Sequence, residues 1–372
     1  MDKFSMFSLL EKASWIWVGT IHEDLHNDYA DFRYDFSLAV RPKSAPFYIT
    51  ADQCYMLYLN GRYVCRGPAR GFQNKWAFDE VDLVSYLRQG HNWISVRVYN
   101  AGVGTFQYIH QKAAGLICTG LAGRHEIISN GSWIGRRSPA YRKDTARLSL
   151  QLNFLEWFDA REDDQSWIYS KRKPSGWDRL VVKPFGRMPW HTLEPRGIPN
   201  LSNSVLIYSK IVSRGYGPCG ADYKSGNNPA ATWYREQKKV EWVPLGGRAA
   251  DIAIPASGKR KLRAVILDMG RPTIGTLLIE TFGVEGGEII DFFFCEVLNK
   301  DLGPVILNPE EVGSRMAMSL RLILGGETTR HESFQMRAPL RGDYRPKYNP
   351  PTSFSPEVAR DRLSPASQRL FY

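Results

Sequence analysis

Cys54-Tyr55-Met56-Leu57-Tyr58-Leu59-Asn60-Gly61-Arg62-Tyr63-Val64 sets two short aromatic-rich runs on either side of an Asn-Gly pair. Both central residues of a type I′ turn need positive φ, which Asn and Gly tolerate best, so this stretch predicts a tight antiparallel hairpin. Upstream, Phe32-Arg33-Tyr34-Asp35-Phe36 alternates at period two and predicts a strand with apolar side chains on one side and charges on the other. Phe47-Tyr48-Ile49-Thr50 reads as another strand. Downstream, Trp93-Ile94-Ser95-Val96-Arg97-Val98-Tyr99 alternates again, and Gly115-Leu116-Ile117-Cys118 and Glu126-Ile127-Ile128-Ser129 follow, the latter closing at a turn, Asn130-Gly131. Only Val81 to Leu87 suggests helix, one or two turns that end at Gln89-Gly90. Short strands punctuated by Gly, Asn and Pro predict an antiparallel sandwich and not alternating βαβ units.

Between Leu152 and Pro199 the texture changes to Pro, Trp and charge, as in Pro174-Ser175-Gly176-Trp177 and Pro189-Trp190, and predicts irregular chain wrapped on the first sandwich. Residues 213–254, rich in Gly and holding Asn227-Asn228-Pro229, read as an exposed connector. β patterns resume at Leu262-Arg263-Ala264-Val265-Ile266-Leu267, Thr276-Leu277-Leu278-Ile279-Glu280 and Glu288 to Phe294. The expected organisation is all-β: a sandwich domain over 1–212, the connector 213–254, a second, jelly-roll-like sandwich over 255–338, and a Pro/Arg-rich tail, 339–372. With little apolar periodicity, that tail is expected to be disordered.

The 372 residues allow two or three domains with cores of their own, and 43% hydrophobic with 23% charged residues is a globular composition. Aromatic residues make up 13%, fitting half-buried strands and also supplying rings on which sugar faces stack. The net charge of +11 invites a nucleic-acid reading, yet basic groups such as Lys171-Arg172-Lys173 and Lys259-Arg260-Lys261 are scattered and no nucleic-acid-binding signature accompanies them. No nucleic-acid partner is expected. The five cysteines, Cys54, Cys65, Cys118, Cys219 and Cys295, are odd in number and form no CxxC or Cys/His set, so free thiols are expected and no metal site is assigned. Neither a signal-peptide core nor a run of about 18 apolar residues occurs, so the expectation is a cytoplasmic protein without a membrane partner.

Three ordered segments carry a family resemblance. They are Tyr48 to Asp52 continuing through Leu57 to Val64 and Arg66-Gly67-Pro68-Ala69-Arg70; Val96 to Asn100 leading to Gly102 to Tyr108; and Trp190 with Leu193-Glu194-Pro195-Arg196 and Ile198-Pro199. Later segments, Leu267 to Arg271, Gly286-Gly287-Glu288, Arg321 to Glu327 and Glu332 to Gln335, continue the order. Together they resemble the N-terminal β-domains of bacterial α-L-rhamnosidases of glycoside hydrolase family 78, over residues from about 15 to 338. In such enzymes an (α/α)6 barrel follows, holding a general acid and a general base, and this chain has no long helical periodicity of that kind. The resemblance therefore implies an accessory part that supports the barrel, in an enzyme family that removes terminal α-L-rhamnose, with no cofactor beyond a possible calcium ion. The concanavalin-like second domain and a partner that is either a rhamnose-containing glycan or a catalytic barrel domain are implied by the same likeness. The tail after Ala338 departs from the family pattern and reads as the product of a frameshift or a premature end. A stand-alone carbohydrate-binding or scaffold protein is the alternative.

No catalytic residue is expected. Asp159, Glu162, Asp163 and Asp164 form the densest acidic cluster and read as a solvated loop; His22, His26 and His110 belong to no nucleophile motif. The carbohydrate-binding candidates are Tyr99, Asn100, Phe106, Gln107 and Tyr108, grouped around the bend Gly102-Val103-Gly104, with Trp76 and Trp133 as further stacking rings. The same bend could instead pack against a barrel.

Overall fold

A computed structural model describes residues 10–19, 25–71, 75–105, 108–148, 153–163, 165–186, 189–220, 223, 226, 229–245, 247, 252–255, 257–271, 274–294, 298–299, 305–306 and 319–334. The tail 339–372, Cys295, Phe106, Gln107 and Asp164 lie outside these. The described chain is almost entirely β. Contacts divide it into two units: Met1–Ser204 with Thr281–Glu288 and Leu322–Thr329, and Val205–Glu280 with Ile289–Arg321 and Arg330–Tyr372.

The first unit is a sandwich of two sheets. One has the order β13-β1-β8-β3-β6-β14, with β9 paired to β8; the other runs β12-β10-β2-β7-β4-β5. In chain order these are β1 Ser14–Trp17, β2 Asp28–Leu38, β3 Pro46–Asp52, β4 Cys54–Leu59, β5 Arg62–Gly67, β6 Lys75–Asp82, β7 Gly90–Asn100, β8 Gly115–Ala122, β9 His125–Ile128, β10 Ile134–Arg137, β12 Asp178–Arg179, β13 Val181–Pro184 and β14 Thr192–Pro195; β11, Glu156–Asp159, belongs to neither sheet. The β4–β5 hairpin forms as expected, with Asn60 at φ 52 and Gly61 at φ 78. Asn60 adds long-range anchorage, because its amide donates to Tyr86 O and Asn92 Oδ1 and its Oδ1 accepts from Trp93 N–H. At Val81–Leu87, β6 runs on to Asp82 and a single turn follows, closed by Leu87 N–H on Leu83 O.

The apolar core of this unit includes Phe32, Phe36, Phe47, Ile49, Leu57, Ile94, Val96, Ile117 and the indoles of Trp15, Trp17 and Trp76, all buried. Removing such side chains from water stabilises the fold by about 1.5–3 kcal/mol each. The alternation in β2 and β7 is real, but the charged side does not face solvent. Asp31, Arg33 and Arg97 are as buried as their apolar neighbours, because the segment after β11 lies across that face. Trp167 O of the helical turn Ser166–Tyr169 accepts from Arg33 Nη1 at 2.7 Å and from Ser95 Oγ at 3.0 Å, and Ile168 O accepts from Trp93 Nε1 at 2.8 Å.

The stretch read as irregular wrapping also supplies sheet edges. β13 pairs antiparallel with β1, β12 with β10, and β14 runs parallel to β6. Its Trp and Pro content hid these two- to four-residue strands, which are too short to show a period.

In the second unit, β15 Lys210–Pro218 is the centre of a three-stranded antiparallel sheet between β16 Glu241–Pro244 and β17 Lys261–Asp268. The region 213–254, read as a connector, thus carries two strands and the helix Pro229–Glu236. Gly215 and Gly217 masked β15, and packing explains them. A Cβ at Gly215 would lie 2.5 Å from Val240 Cγ1 and 2.9 Å from the Trp242 ring. Buried in this unit, Arg321 forks onto Asp291 with two 2.7 Å bonds, and Trp233 stacks on Phe293.

Candidate functional site

The three segments of the resemblance meet in space at Asp52, the last residue of β3. Its carboxylate is fully buried. Oδ1 accepts the Tyr108 hydroxyl and Oδ2 accepts Trp190 Nε1–H at 2.8 Å. Its backbone carbonyl accepts from Asn100 Nδ2 at 3.1 Å, and the same amide donates to Ala113 O at 3.1 Å while Asn100 Oδ1 takes Gly102 N–H at 2.9 Å. One Asn therefore closes the bend between β7 and Tyr108.

Gly102 sits at φ 70 with the Leu25 carbonyl oxygen where a Cβ would stand, 1.8 Å from it. Only glycine fits there. Across β3, Asp52 is in register with Gly115 of β8, and a Cβ on Gly115 would press into the Trp15 ring at 2.7 Å. That bare backbone lets Trp15 and Trp190 lie flat on each other, centroids 3.8 Å apart and planes 19° apart. Trp76 meets Tyr108 edge-on at 5.9 Å and donates Nε1–H to Ala51 O.

Of the sequence candidates, Asn100, Tyr108 and Trp76 are thus brought together, with Asp52, Trp190 and Trp15 added by the structure. Tyr99 points to the other face of its sheet, against Tyr29 at 4.4 Å, which in turn stacks on Tyr141 at 3.7 Å. Trp133 lies elsewhere, covered by Tyr34 at 5.2 Å, its indole N–H on Ile128 O. Trp76, Tyr99, Asn100, Tyr108 and Trp133 are all at most 3% exposed. A sugar face stacks only on an open ring, and in this conformation none of these four rings is open; Phe106 and Gln107 fall outside the described residues.

At the outer edge of the site His110 is half-buried, its Nδ1 3.3 Å from the Tyr108 hydroxyl. Burial and the neighbouring Lys112 ammonium hold its pKa below the ordinary histidine value. The chain His110–Tyr108–Asp52 can order a tyrosine hydroxyl, but a carboxylate enclosed as Asp52 is has no path to a glycosidic oxygen. A general acid or base must come within hydrogen-bond reach of its substrate.

The acidic cluster differs from its expected solvated loop. Asp163 is buried and accepts from Arg97 Nη2 at 2.8 Å, Arg136 Nη2 at 3.0 Å, Trp167 Nε1 at 3.1 Å and Gln165 N at 3.0 Å. Burial alone would raise its pKa, but the two guanidiniums and these donors hold it below the usual aspartate value. Arg97 also forks onto Asp31, at 2.6 and 3.3 Å, and has the rings of Tyr141, Phe158 and Trp167 within 5.8 Å. Asp159 pairs with exposed Arg161 and remains at the surface. Cys54, Cys65, Cys118 and Cys219 are free thiols. Among the described residues no group of three or more His, Cys, Asp or Glu is placed to hold a metal, and no helix is long and apolar enough to cross a membrane; calcium ligands are accordingly not assigned.

An open cleft of about 270 Å³ in the first unit is lined by Phe78, Glu80, Pro195, Arg196 and the turn 197–200. Arg196 there bonds Asp79 at 2.7 Å and Asn200 at 2.6 Å.

No family model and no curated protein matches the sequence. Solved structures do match the fold. A glycoside hydrolase family 78 rhamnosidase of Bacillus sp. GL1 aligns over 88% of this chain and 52% of its own, at a TM-score of 0.70 and 18% identity. An α-L-rhamnosidase from Aspergillus terreus aligns over 89% of this chain and 33% of its own, at 0.58 and 19%. One from Dictyoglumus thermophilum gives 88%, 33%, 0.55 and 17%. The chain spans about a third to a half of the length of these proteins and shares their fold over that part.

Proposed function

We propose that this chain is the β-domain part of an α-L-rhamnosidase, an accessory part that supports a catalytic barrel and contacts carbohydrate without performing hydrolysis itself. The observation that carries the reading is the alignment of 88% of the chain onto 52% of the Bacillus sp. GL1 rhamnosidase. Two features of the site support it. Inverting glycoside hydrolysis needs an acid and a base about 6.5–9.5 Å apart with a water between them, and the carboxylates at the centre of the first unit, Asp52, Asp31 and Asp163, are enclosed and occupied by donors. The residues that converge on Asp52 form a rigid support for the bend that follows Asn100. On this reading the sequence segments that resemble the family are structural joints, and the bend they hold is the surface offered to a barrel or a sugar.

Calorimetric titration of the purified chain with L-rhamnose and a rhamnose-terminated oligosaccharide, with and without calcium, tests the carbohydrate contact. Saturable heat at millimolar sugar is expected; no heat under either condition would remove carbohydrate from the reading.

A further inference from the structure

The second unit has an exposed sheet face whose chemistry the reading above does not use. β15 alternates between exposed and buried from Arg214 onward, so Arg214 and Tyr216 point to one side and Gly215 and Gly217 to the packed side. The register puts Tyr216 opposite Arg263 and Glu241, Arg214 opposite Val265 and Val243, and Pro218 opposite Lys261. Residues directly opposite share a face. Arg214, Lys261, Arg263, Tyr216 and Val243 are accordingly exposed on one side of the sheet, with Glu241 its single acid among these strands. Lys261 Nζ and Arg263 Cζ each lie 5.0 Å from the centroid of the Tyr216 ring. Both cations are held over an aromatic ring, which restrains two long side chains that would otherwise lose rotamer freedom on meeting a ligand. The turn before β17 adds exposed Lys259 and Arg260.

We propose that this face binds an anionic polysaccharide, a glycan chain bearing uronate carboxylates; the proposal rests on the reading that the chain meets carbohydrate. Charge complementarity selects a polyanion. The geometry favours a glycan over a nucleic acid: sequence-tolerant nucleic-acid binding relies on open rings for base stacking or on an element that enters a groove. Here the one ring of the face has two cations within 5.0 Å of its centroid, which leaves charge as the basis of recognition. A guanidinium and an ammonium held at one ring match carboxylates displayed along a sugar chain, and Arg takes a carboxylate in a two-point fork.

The test uses the full chain in affinity electrophoresis through gels containing polygalacturonate, the same polymer fully methyl-esterified, or duplex DNA. The proposal expects retardation by polygalacturonate that is absent with the ester, weakens at about 200 mM sodium chloride as screening sets in, and falls about tenfold or more in the triple variant Arg214→Ala, Lys261→Ala, Arg263→Ala. Equal retardation by the ester, no retardation, an unchanged triple variant, or tighter retention by DNA would overturn it. The ester and salt comparisons use the unaltered chain, so they decide even if the variant folds poorly. If polygalacturonate is bound through these three residues while the rhamnose titration is silent, the surface stands and the rhamnose contact falls; the reverse pattern removes only the surface.

Discussion

Trp190 donates its indole N–H to the carboxylate of Asp52 at 2.8 Å, across 138 residues of chain. This bond ties the segment before β14 to the end of β3, and with the Tyr108 hydroxyl on the other oxygen it makes Asp52 the joint of the first unit.

Asp52→Ala leaves two buried donors, Tyr108 O–H and Trp190 N–H, without their acceptor. Each unsatisfied group costs about 1–3 kcal/mol. Urea unfolding is expected to show a loss of about 2–6 kcal/mol, the sum over the pair, with Tyr108→Phe costing less because it removes the donor together with its need. An unchanged midpoint in Asp52→Ala would contradict the joint.

Gly102 and Gly104 belong to the same bend but should respond differently. Gly102→Ala meets the Leu25 carbonyl and a φ of 70, whereas at Gly104 the nearest atom to a new Cβ is 3.4 Å away and φ is not in the left-handed region. A strained backbone alone costs about 1–3 kcal/mol. Thermal unfolding of the two variants is expected to show a clear drop for Gly102→Ala and little change for Gly104→Ala; equal effects would refute the packing given for the bend.

Arg97→Met strips the buried carboxylates Asp31 and Asp163 of the more buried of the two guanidiniums they share. Removing one member of a buried ion pair costs about 3–5 kcal/mol. Denaturant unfolding of Arg97→Met should show a loss on this scale, and a loss under about 1 kcal/mol, as for exposed pairs, would show that the cluster is solvated after all.

Asp163 also fixes a pH dependence. Its folded pKa lies below the ordinary aspartate value, so its contribution to stability is present above that value and is lost as pH falls through the folded pKa. Unfolding free energies measured from pH 5 downward should decline less steeply in Asp163→Asn than in the unaltered chain. Parallel declines would mean that Asp163 is not the titrating group.

His110 acts at higher pH with the opposite charge. Its folded pKa is lowered from 6.5, so the folded state binds fewer protons than the unfolded chain and stability falls as pH drops below that value. His110→Gln is expected to flatten the profile between pH 7 and 5, read by chemical unfolding; an unaltered slope would leave His110 without this role.

Much of the fold was legible because period-two alternation and Asn60-Gly61 are local signals, and the strands from β2 to β9 follow them. The short edge strands β12 to β14 were not, since two to four residues show no period, and β15 was hidden by glycines whose reason is the Trp242 ring. Burial was misjudged where it depends on remote chain. Nothing near Arg33, Arg97 or Asp163 announces that the turn Ser166–Tyr169 closes over them. Asp52 and Trp190 were both within the segments that carry the resemblance, but a carboxylate at a strand end looks solvated until its donors from positions 108 and 190 are in place. The described stacking candidates are buried in this conformation for a related reason, since rings that suit a sugar also suit a core, and only exposure separates them.

The account stands most directly on the rate at which the purified chain alone hydrolyses an aryl α-L-rhamnoside. It predicts release of the aryl alcohol no faster than in buffer. Clear turnover, abolished by substituting a carboxylate within the β units, would contradict it.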